Sequence, residues 1–395
     1  MRLRSLTTYI CDAYRTNWVL VKLDTDDGIE GWGEATLEYR EHAVEAALRA
    51  LENGLAGREL GNIQGWWQDA YRDAYWRGGP VLTSALSAIE MALWDIKGKA
   101  LGVPVHELLG GKLRASVDCY ANGWFAGARR PEEFADKARE AVEWGYRALK
   151  WDPFGSAFRG MTPSALRSAM AVVEAVAGAV EGRADIIVEA HGRFELPAAR
   201  QVARALEPIG VLWLEEPLVP GNLANYAWLR EHTATPISLG ERLYTRWDFR
   251  EVFERGCADV VQPDVSHAGG IWETRTIASL AELWQVAFAP HNPSGPVANA
   301  ATMQLAACTP NFTYLETMAT DVPWRAEIAA EGSTVAGGVA QISDAPGLGV
   351  RIDPDAIARY PYVRHDLRHY TGALTDIRPD DQVTRHAKPQ AKEER

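Results

Sequence analysis

Between residues 146 and 317 seven short apolar runs recur, each closing on polar or charged side chains: YRALKWD, DIIVEAH, VLWLEEP, PISLGER, ADVVQPD, QVAFAPH and FTYLET. The closing residues are Lys150 and Asp152, Glu189 and His191, Glu215, Glu241, Asp264, His291 and Glu316. From Glu189 to Glu316 they follow at intervals of 26, 26, 23, 27 and 25 residues, the length of one strand–loop–helix–loop unit. The intervening segments, such as PAARQVARALEPIG and WETRTIASLAELWQ, carry apolar residues at helical spacing. Strand followed by helix, repeated, implies a parallel sheet with right-handed crossovers. At least seven units fit a closed β/α barrel of the (β/α)8 (TIM) type better than an open doubly wound sheet. Such a barrel gathers the closing side chains around one mouth, at the C-terminal ends of its strands.

That convergence has chemical consequences. Glu189, Glu215 and Glu241 in one pocket repel one another unless a cation compensates them. An all-oxygen donor set favours a hard ion, Mg²⁺, over zinc. The plain alternative makes each glutamate a surface residue at a loop start; three in register on consecutive strands weigh against it. His291, in AFAPHNPSGP, has Asp264 one strand away, and a carboxylate there holds an imidazole in one tautomer and raises its pKa. His191, two residues after Glu189, is expected on the same side of its strand, as a general acid or a supporting neighbour. Lys150 is either a ligand for a carboxylate oxygen or a surface lysine. Glu216 is expected to have a backbone or lysine partner.

The rest of the chain reads differently. WVLVKLDTDDGIEGWGEAT, residues 18–36, is expected to form a β-hairpin. Its glycines precede no βα crossover, so a meander fits better than a phosphate cradle. Residues 40–110 are helical in pattern, and SALSAIEMALWDIKGKALGVPVHELLGG contains Asp95 and Lys97 as solvated or structural residues. Changes of texture divide the chain into 1–117, 118–349 and 350–395, the last ending in the polar AKPQAKEER, expected to be a mobile tail. A chain of 395 residues exceeds the usual ceiling for one hydrophobic core. The net charge of −12 argues against nucleic acid as partner, while a bound metal still admits an anionic substrate. No stretch of about 18 apolar residues argues for a membrane span. Four cysteines without CxxC spacing read as reduced thiols of a cytoplasmic protein.

Several segments also carry a family likeness: RGGPVLTSALSAIEMALWDIKGKALGVPVHELLGG, EAHGRF, LEEP, GERLYTRWDF, QPDVSHAGGI, APHNPSGPVA and PGLGVRID. On these the chain resembles the enolase superfamily, mandelate racemase subgroup, over nearly its full length, and most closely the galactonate dehydratase type of sugar-acid dehydratase. The resemblance implies an α+β capping domain, built from residues 1–117 and the segment after 350, over a modified (β/α)7β barrel at 118–349. It implies Mg²⁺ on Glu189, Glu215 and Glu241, and removal of a C2 proton by His291 paired with Asp264. His191 would protonate the departing 3-hydroxyl, and Glu316 would hydrogen-bond the substrate carboxylate. Substrate contacts would come from Tyr14, Trp18, Tyr39 and Arg40 in the cap loops, aided by Trp76 and Arg77, and from Asp152 and Arg193. It also implies a symmetric homo-oligomer, with an octamer as the candidate.

Two departures stand out. The first metal ligand of such dehydratases is usually Asp, and Glu189 reaches about 1.5 Å further. Racemases of the subgroup carry Lys-X-Lys where this chain has Lys150-Trp151-Asp152, which leaves one base and one acid. A hydroxy-acid racemase or epimerase, and a non-catalytic relative, are the competing readings. Galactonate, gluconate, arabinonate, fuconate and diacids such as galactarate are not separated by the sequence.

Overall fold

The computed structural model describes residues 1–374 except Asp73 and Ser333, together with residues 383–384. β1 (Leu3–Asp12), β2 (Asn17–Thr25) and β3 (Glu30–Glu34) form an antiparallel meander, with Asp24 opposite Glu30 at the tight turn. β2 and β3 are the expected hairpin. β1 lacks a clean apolar–polar alternation, and it pairs with β2 along its length. Helices α1 (Glu41–Glu52), α2 (Ile63–Arg72) and α3 (Pro80–Leu101) cover this sheet. α3 begins with proline and ends at Gly102 in the left-handed region, φ 70°, as the Gly-Val-Pro stop implies. Gly33 allows α3 to touch the sheet, since a Cβ there would lie 1.8 Å from the Ala88 carbonyl oxygen. The glycine-rich segment therefore serves close packing.

After the short α4 (Val105–Leu108) the barrel begins with β4 (Ser116–Asn122). It continues as α5 (Pro131–Glu143), β5 (Ala148–Trp151), α6 (Pro163–Val180), β6 (Asp185–Glu189), α7 (Leu196–Leu206) and β7 (Trp213–Glu215). Then come α8 (Leu223–Glu231), β8 (Ile237–Leu239), α9 (Thr245–Arg255), β9 (Val260–Val261), α10 (Ile271–Leu283), β10 (Ala287–Phe288), α11 (Pro296–Cys308) and β11 (Leu315–Met318). The strands pair in parallel from β4 through β10 in chain order. β11 pairs in parallel with β4, and a parallel bridge from Phe288 to Phe312 closes the ring. All seven expected apolar runs form strands, β5 to β11, and β4 precedes them. Beyond β11 the chain forms β12 (Thr320–Asp321), α12 (Arg325–Ile328), β13 (Ala329–Glu331), β14 (Val335–Ala336), β15 (Val339–Gln341), β16 (Arg351–Ile352), α13 (Pro354–Ile357) and β17 (Val383–Thr384). The AKPQAKEER segment lies outside the described residues.

Two large cores result. One lies between the barrel strands and their helices, around Trp151, Phe194, Phe249 and Phe288. The other holds Trp18, Trp32, Trp67 and Leu48, joined by Val297 and Leu305 of α11 and by Leu348, Val350, Ile352 and Ile357. A smaller cluster of Tyr120, Ile187, Trp213 and Val260 fills the barrel interior. α6 is long and apolar enough to cross a bilayer on length and composition, and here its Met170, Val173, Val176 and Val180 pack into the barrel core. The four cysteines are buried and form no disulfide.

Buried carboxylates tie the N-terminal layer to the barrel. Glu34 accepts hydrogen bonds from the amides of Gly295 (2.6 Å), Val297 (3.1 Å) and Ala298 (2.9 Å), at the N-terminus of α11. Glu90 does the same for α10, accepting from the amides of Ile271 (2.7 Å) and Trp272 (3.0 Å). Helix N-termini hold otherwise orphaned donors and favour negative charge, which offsets part of the cost of burial. Burial still pushes the Glu90 carboxyl up to about 7, against those donors. Asp95 is structural: it is fully buried and accepts from the amides of Trp32 and Leu348 and from Lys99. Lys97 is on the surface and donates to the Gly61 carbonyl.

Candidate active site

Parallel register places Glu189 of β6 directly opposite Glu215 of β7. Glu241 follows β8 after a turn at Gly240, whose φ is 144° and whose Cβ, if it had one, would lie 2.8 Å from the Gln262 amide nitrogen. One carboxylate oxygen from each glutamate lies within 4.8 Å of the others. Lys150 reaches in from β5, 2.6 Å from Glu215 Oε1, 2.8 Å from Glu316 Oε1 and 3.5 Å from Glu189 Oε2. Burial would raise the Glu215 carboxyl, but the Lys150 ammonium outweighs it and holds the group down at about 2. Burial and the neighbouring Glu215 push Glu189 well above the usual carboxylate range. Glu189 Oε1 accepts from the His191 amide at 2.6 Å, while its buried Oε2 has no hydrogen-bond donor. Three oxygen donors in mutual repulsion, one buried and undonated, suit a compact divalent cation.

Two histidines flank this cluster, each with its own carboxylate. His291 Nδ1 is 2.8 Å from Asp264 Oδ2, and its Nε2 is 3.5 Å from Glu241 Oε2. Burial would lower this imidazole, but Glu241 and the Asp264 hydrogen bond overcome it and raise it to about 9. His191 Nδ1 is 2.6 Å from Asp152 Oδ2, and burial pushes this ring down to about 4. His191 does not continue the strand as expected. It adopts φ 50°, in the left-handed region, and Glu216 beside the next strand does likewise at φ 45°. Non-glycine residues held there carry backbone strain of a kind concentrated at functional sites. Glu216 pairs with Arg242 and accepts from the Gly240 amide at 3.0 Å, so its partners are an arginine and the backbone.

Glu189, Glu241 and both histidines open onto a cavity of about 260 Å³, lined by Arg15, Glu38 and Tyr39 from the N-terminal layer and by Leu367, His369 and Tyr370. Tyr39 therefore faces the cavity, as expected. Four other expected substrate contacts do not. Trp18 is buried in the core with the Arg325 guanidinium 5.1 Å from its ring centre. Tyr14, at φ 64°, lies under the Arg368 guanidinium, 5.6 Å from its ring centre, and does not line the cavity. Arg40 is exposed and donates to the Tyr39 carbonyl. Arg193 is fully buried, donating to the carbonyls of Ala190, Gly155 and Ala157 and pairing with Asp152. Asp152 is thereby committed to Arg193 and His191, although its edge reaches a smaller lobe of the cavity. Trp76 and Arg77 line a separate hollow with Leu51, Ala70 and Leu86. Glu316 is fully buried, accepting from Asn122 Nδ2 and the Asn292 amide, both at 2.9 Å, so this chain already satisfies it.

Asn122, His267 and His369 line the cavity without having been singled out. Asn122 ends β4 and extends the ladder by one strand, a signal present in SVDCYAN. His267, in QPDVSHAGGI, is buried with Nδ1 2.8 Å from Ser84 Oγ. His369 stands in a polar stretch with no periodicity to mark it.

Comparison with known proteins agrees with this fold. Residues 5–110 match the mandelate racemase / muconate lactonizing enzyme N-terminal domain, and residues 133–356 the enolase C-terminal domain-like family. The chain is 39% identical over 363 residues to D-galactonate dehydratase of Variovorax paradoxus (strain S110), covering 90% of this chain and 94% of that protein. It is 38% identical over 344 residues to D-gluconate dehydratase of Thermoproteus tenax, covering 87% of this chain and 69% of the relative. The crystal structure of mandelate racemase/muconate lactonizing enzyme from Sulfitobacter sp. superposes with a TM-score of 0.88 at 31% identity, over 93% of this chain and 97% of that one.

Proposed function

Because the chain belongs to the mandelate racemase / muconate lactonizing enzyme family of the enolase superfamily, we propose that it is a sugar-acid dehydratase, a hydro-lyase converting an aldonate-type acid to its 2-keto-3-deoxy product. The observation that carries this reading is the pair of histidines beside one carboxylate cluster, each bonded at Nδ1 to its own aspartate.

His291 takes the C2 proton in its neutral form: Glu241 and Asp264 hold the free ring charged, and a cation on the glutamates would offset Glu241 and release Nε2 to accept. Asp264 fixes its Nδ1, which leaves Nε2 as the reacting atom beside Glu241. The C2–H electrons pass onto the substrate carboxylate and return to form the C2–C3 double bond as the C3–O bond breaks; the resulting enol gains a proton at C3 and loses its hydroxyl proton to become the 2-keto-3-deoxy acid. His191 gives the departing 3-hydroxyl its proton, so the group leaves as water. In the free protein this imidazole is neutral; an anionic substrate in the same buried space raises its proton affinity, and the acid form arises in the complex. Lys150 directs its ammonium toward a substrate carboxylate oxygen. Mg²⁺ held by Glu189, Glu215 and Glu241 would supply positive charge where the ionising acid accumulates a second negative one. Asp152 supports dehydration over racemisation: bonded to both Arg193 and His191, it is unavailable as a second base. A cytoplasmic setting, supported by four buried cysteines that form no disulfide, and a symmetric homo-oligomer belong to the same proposal.

The test is a panel of sugar acids incubated with the protein and Mg²⁺, with 2-keto acid formation as readout. One or a few acids should yield the 2-keto-3-deoxy product, with turnover lost to a chelator and restored by Mg²⁺. No product from any acid, or chelator-insensitive turnover, contradicts the proposal. A C2-inverted product would favour the racemase.

A further inference from the structure

The segment from Val363 to Tyr370 crosses from the N-terminal layer to the barrel and is pinned at both ends. Val363 exchanges hydrogen bonds with the Asn17 side chain at 2.8 and 3.0 Å, and His365 Nε2 lies 2.8 Å from Asp12 Oδ1. At the barrel end Tyr370 donates its hydroxyl to the His191 carbonyl at 2.9 Å, and Arg193 donates to the His369 carbonyl at 3.2 Å. His369 is thus held by its own main chain beside the acid histidine. Its ring meets His191 at 4.8 Å between centres, inclined by 73°, and Tyr39 at 6.4 Å, inclined by 87°. The nearest carboxylate oxygen to its Nε2, on Glu38, is 3.9 Å away, beyond hydrogen-bonding reach. Among the described residues neither ring nitrogen has a hydrogen-bond partner, and the ring lines the cavity.

We propose that His369 determines specificity for the distal part of the substrate, hydrogen-bonding one hydroxyl on the carbon chain beyond C3. This rests on the dehydratase reading, which places the 3-hydroxyl at His191; the next carbons then pass the ring packed against it. A hydroxyl suits the position, since it can accept from one ring nitrogen and donate to the other, while Glu38 beside the ring is already paired with Arg15. Burial beside His191 also pushes His369 down to about 4, so the ring is neutral, one nitrogen donating and the other accepting.

The experiment compares wild type, His369→Ala and His369→Gln on the preferred sugar acid and on its 4-deoxy and 5-deoxy analogues. On the parent acid His369→Ala should lose about 10- to 100-fold in kcat/KM, mainly through KM, with His369→Gln intermediate. On the analogue lacking the hydroxyl that His369 reads, the variant and wild type should converge. Equal losses on all three acids, a loss confined to kcat, or no loss would overturn the assignment. Wild type inactive on every acid fails the dehydratase reading instead. Calorimetric binding of the same acids then decides: weaker binding by His369→Ala upholds its role, and equal or absent binding overturns it.

Discussion

His291→Asn is expected to lower dehydration by about 10²- to 10⁴-fold and to abolish exchange of the C2 proton with deuterated solvent. Asparagine keeps a donor toward Asp264, so the pair of strand ends that places residue 291 is preserved, while the basic Nε2 is gone. Mg²⁺ affinity should persist or rise, because the imidazolium beside Glu241 in the free protein competes for the same carboxylate. The sign follows from the raised pKa: His291 is charged below about 9, so it opposes a bound cation most strongly at lower pH and less as pH climbs toward that value. Exchange at the wild-type rate in the variant, followed by proton NMR, would remove His291 from the role of base.

Lys150→Met should cost about 3–5 kcal/mol of stability in chelator-treated protein, because it leaves buried carboxylates without their cation. Lys150 is almost wholly buried, and its ammonium contacts Glu215, Glu316 and Glu189 at once. Methionine fills similar volume, so the loss reports charge more than packing. Adding Mg²⁺ should recover much of it and raise the melting temperature of the variant more than that of wild type. Urea midpoints that coincide with wild type, with and without the ion, would show that the lysine does not compensate the cluster.

The barrel was legible because each buried parallel strand is an apolar run that must stop where it meets the open mouth, and the stopping residues are polar. The glutamate cluster and both histidines followed from the same rule. β4 was harder, since SVDCYAN ends on an uncharged asparagine and carries little apolar weight. The errors share one cause: a loop residue's direction depends on tertiary contacts that leave no periodic trace. Trp18 lies on a strand whose buried side is the core, not the cavity. Arg193 is drawn inward by Asp152 and four carbonyls, and Tyr14 lies under the Arg368 guanidinium. His369 comes from a segment more than fifty residues beyond the last barrel strand, and the hydrogen bonds of Val363, His365, His369 and Tyr370 bring it over the site.

The most direct test is to replace Mg²⁺ with Mn²⁺ and locate the ion by anomalous diffraction in a crystal of the full chain. The account predicts a single peak contacting carboxylate oxygens of Glu189, Glu215 and Glu241 and absent from Glu215→Gln. A peak elsewhere, or none at saturating Mn²⁺ with the three side chains still converging, would contradict it.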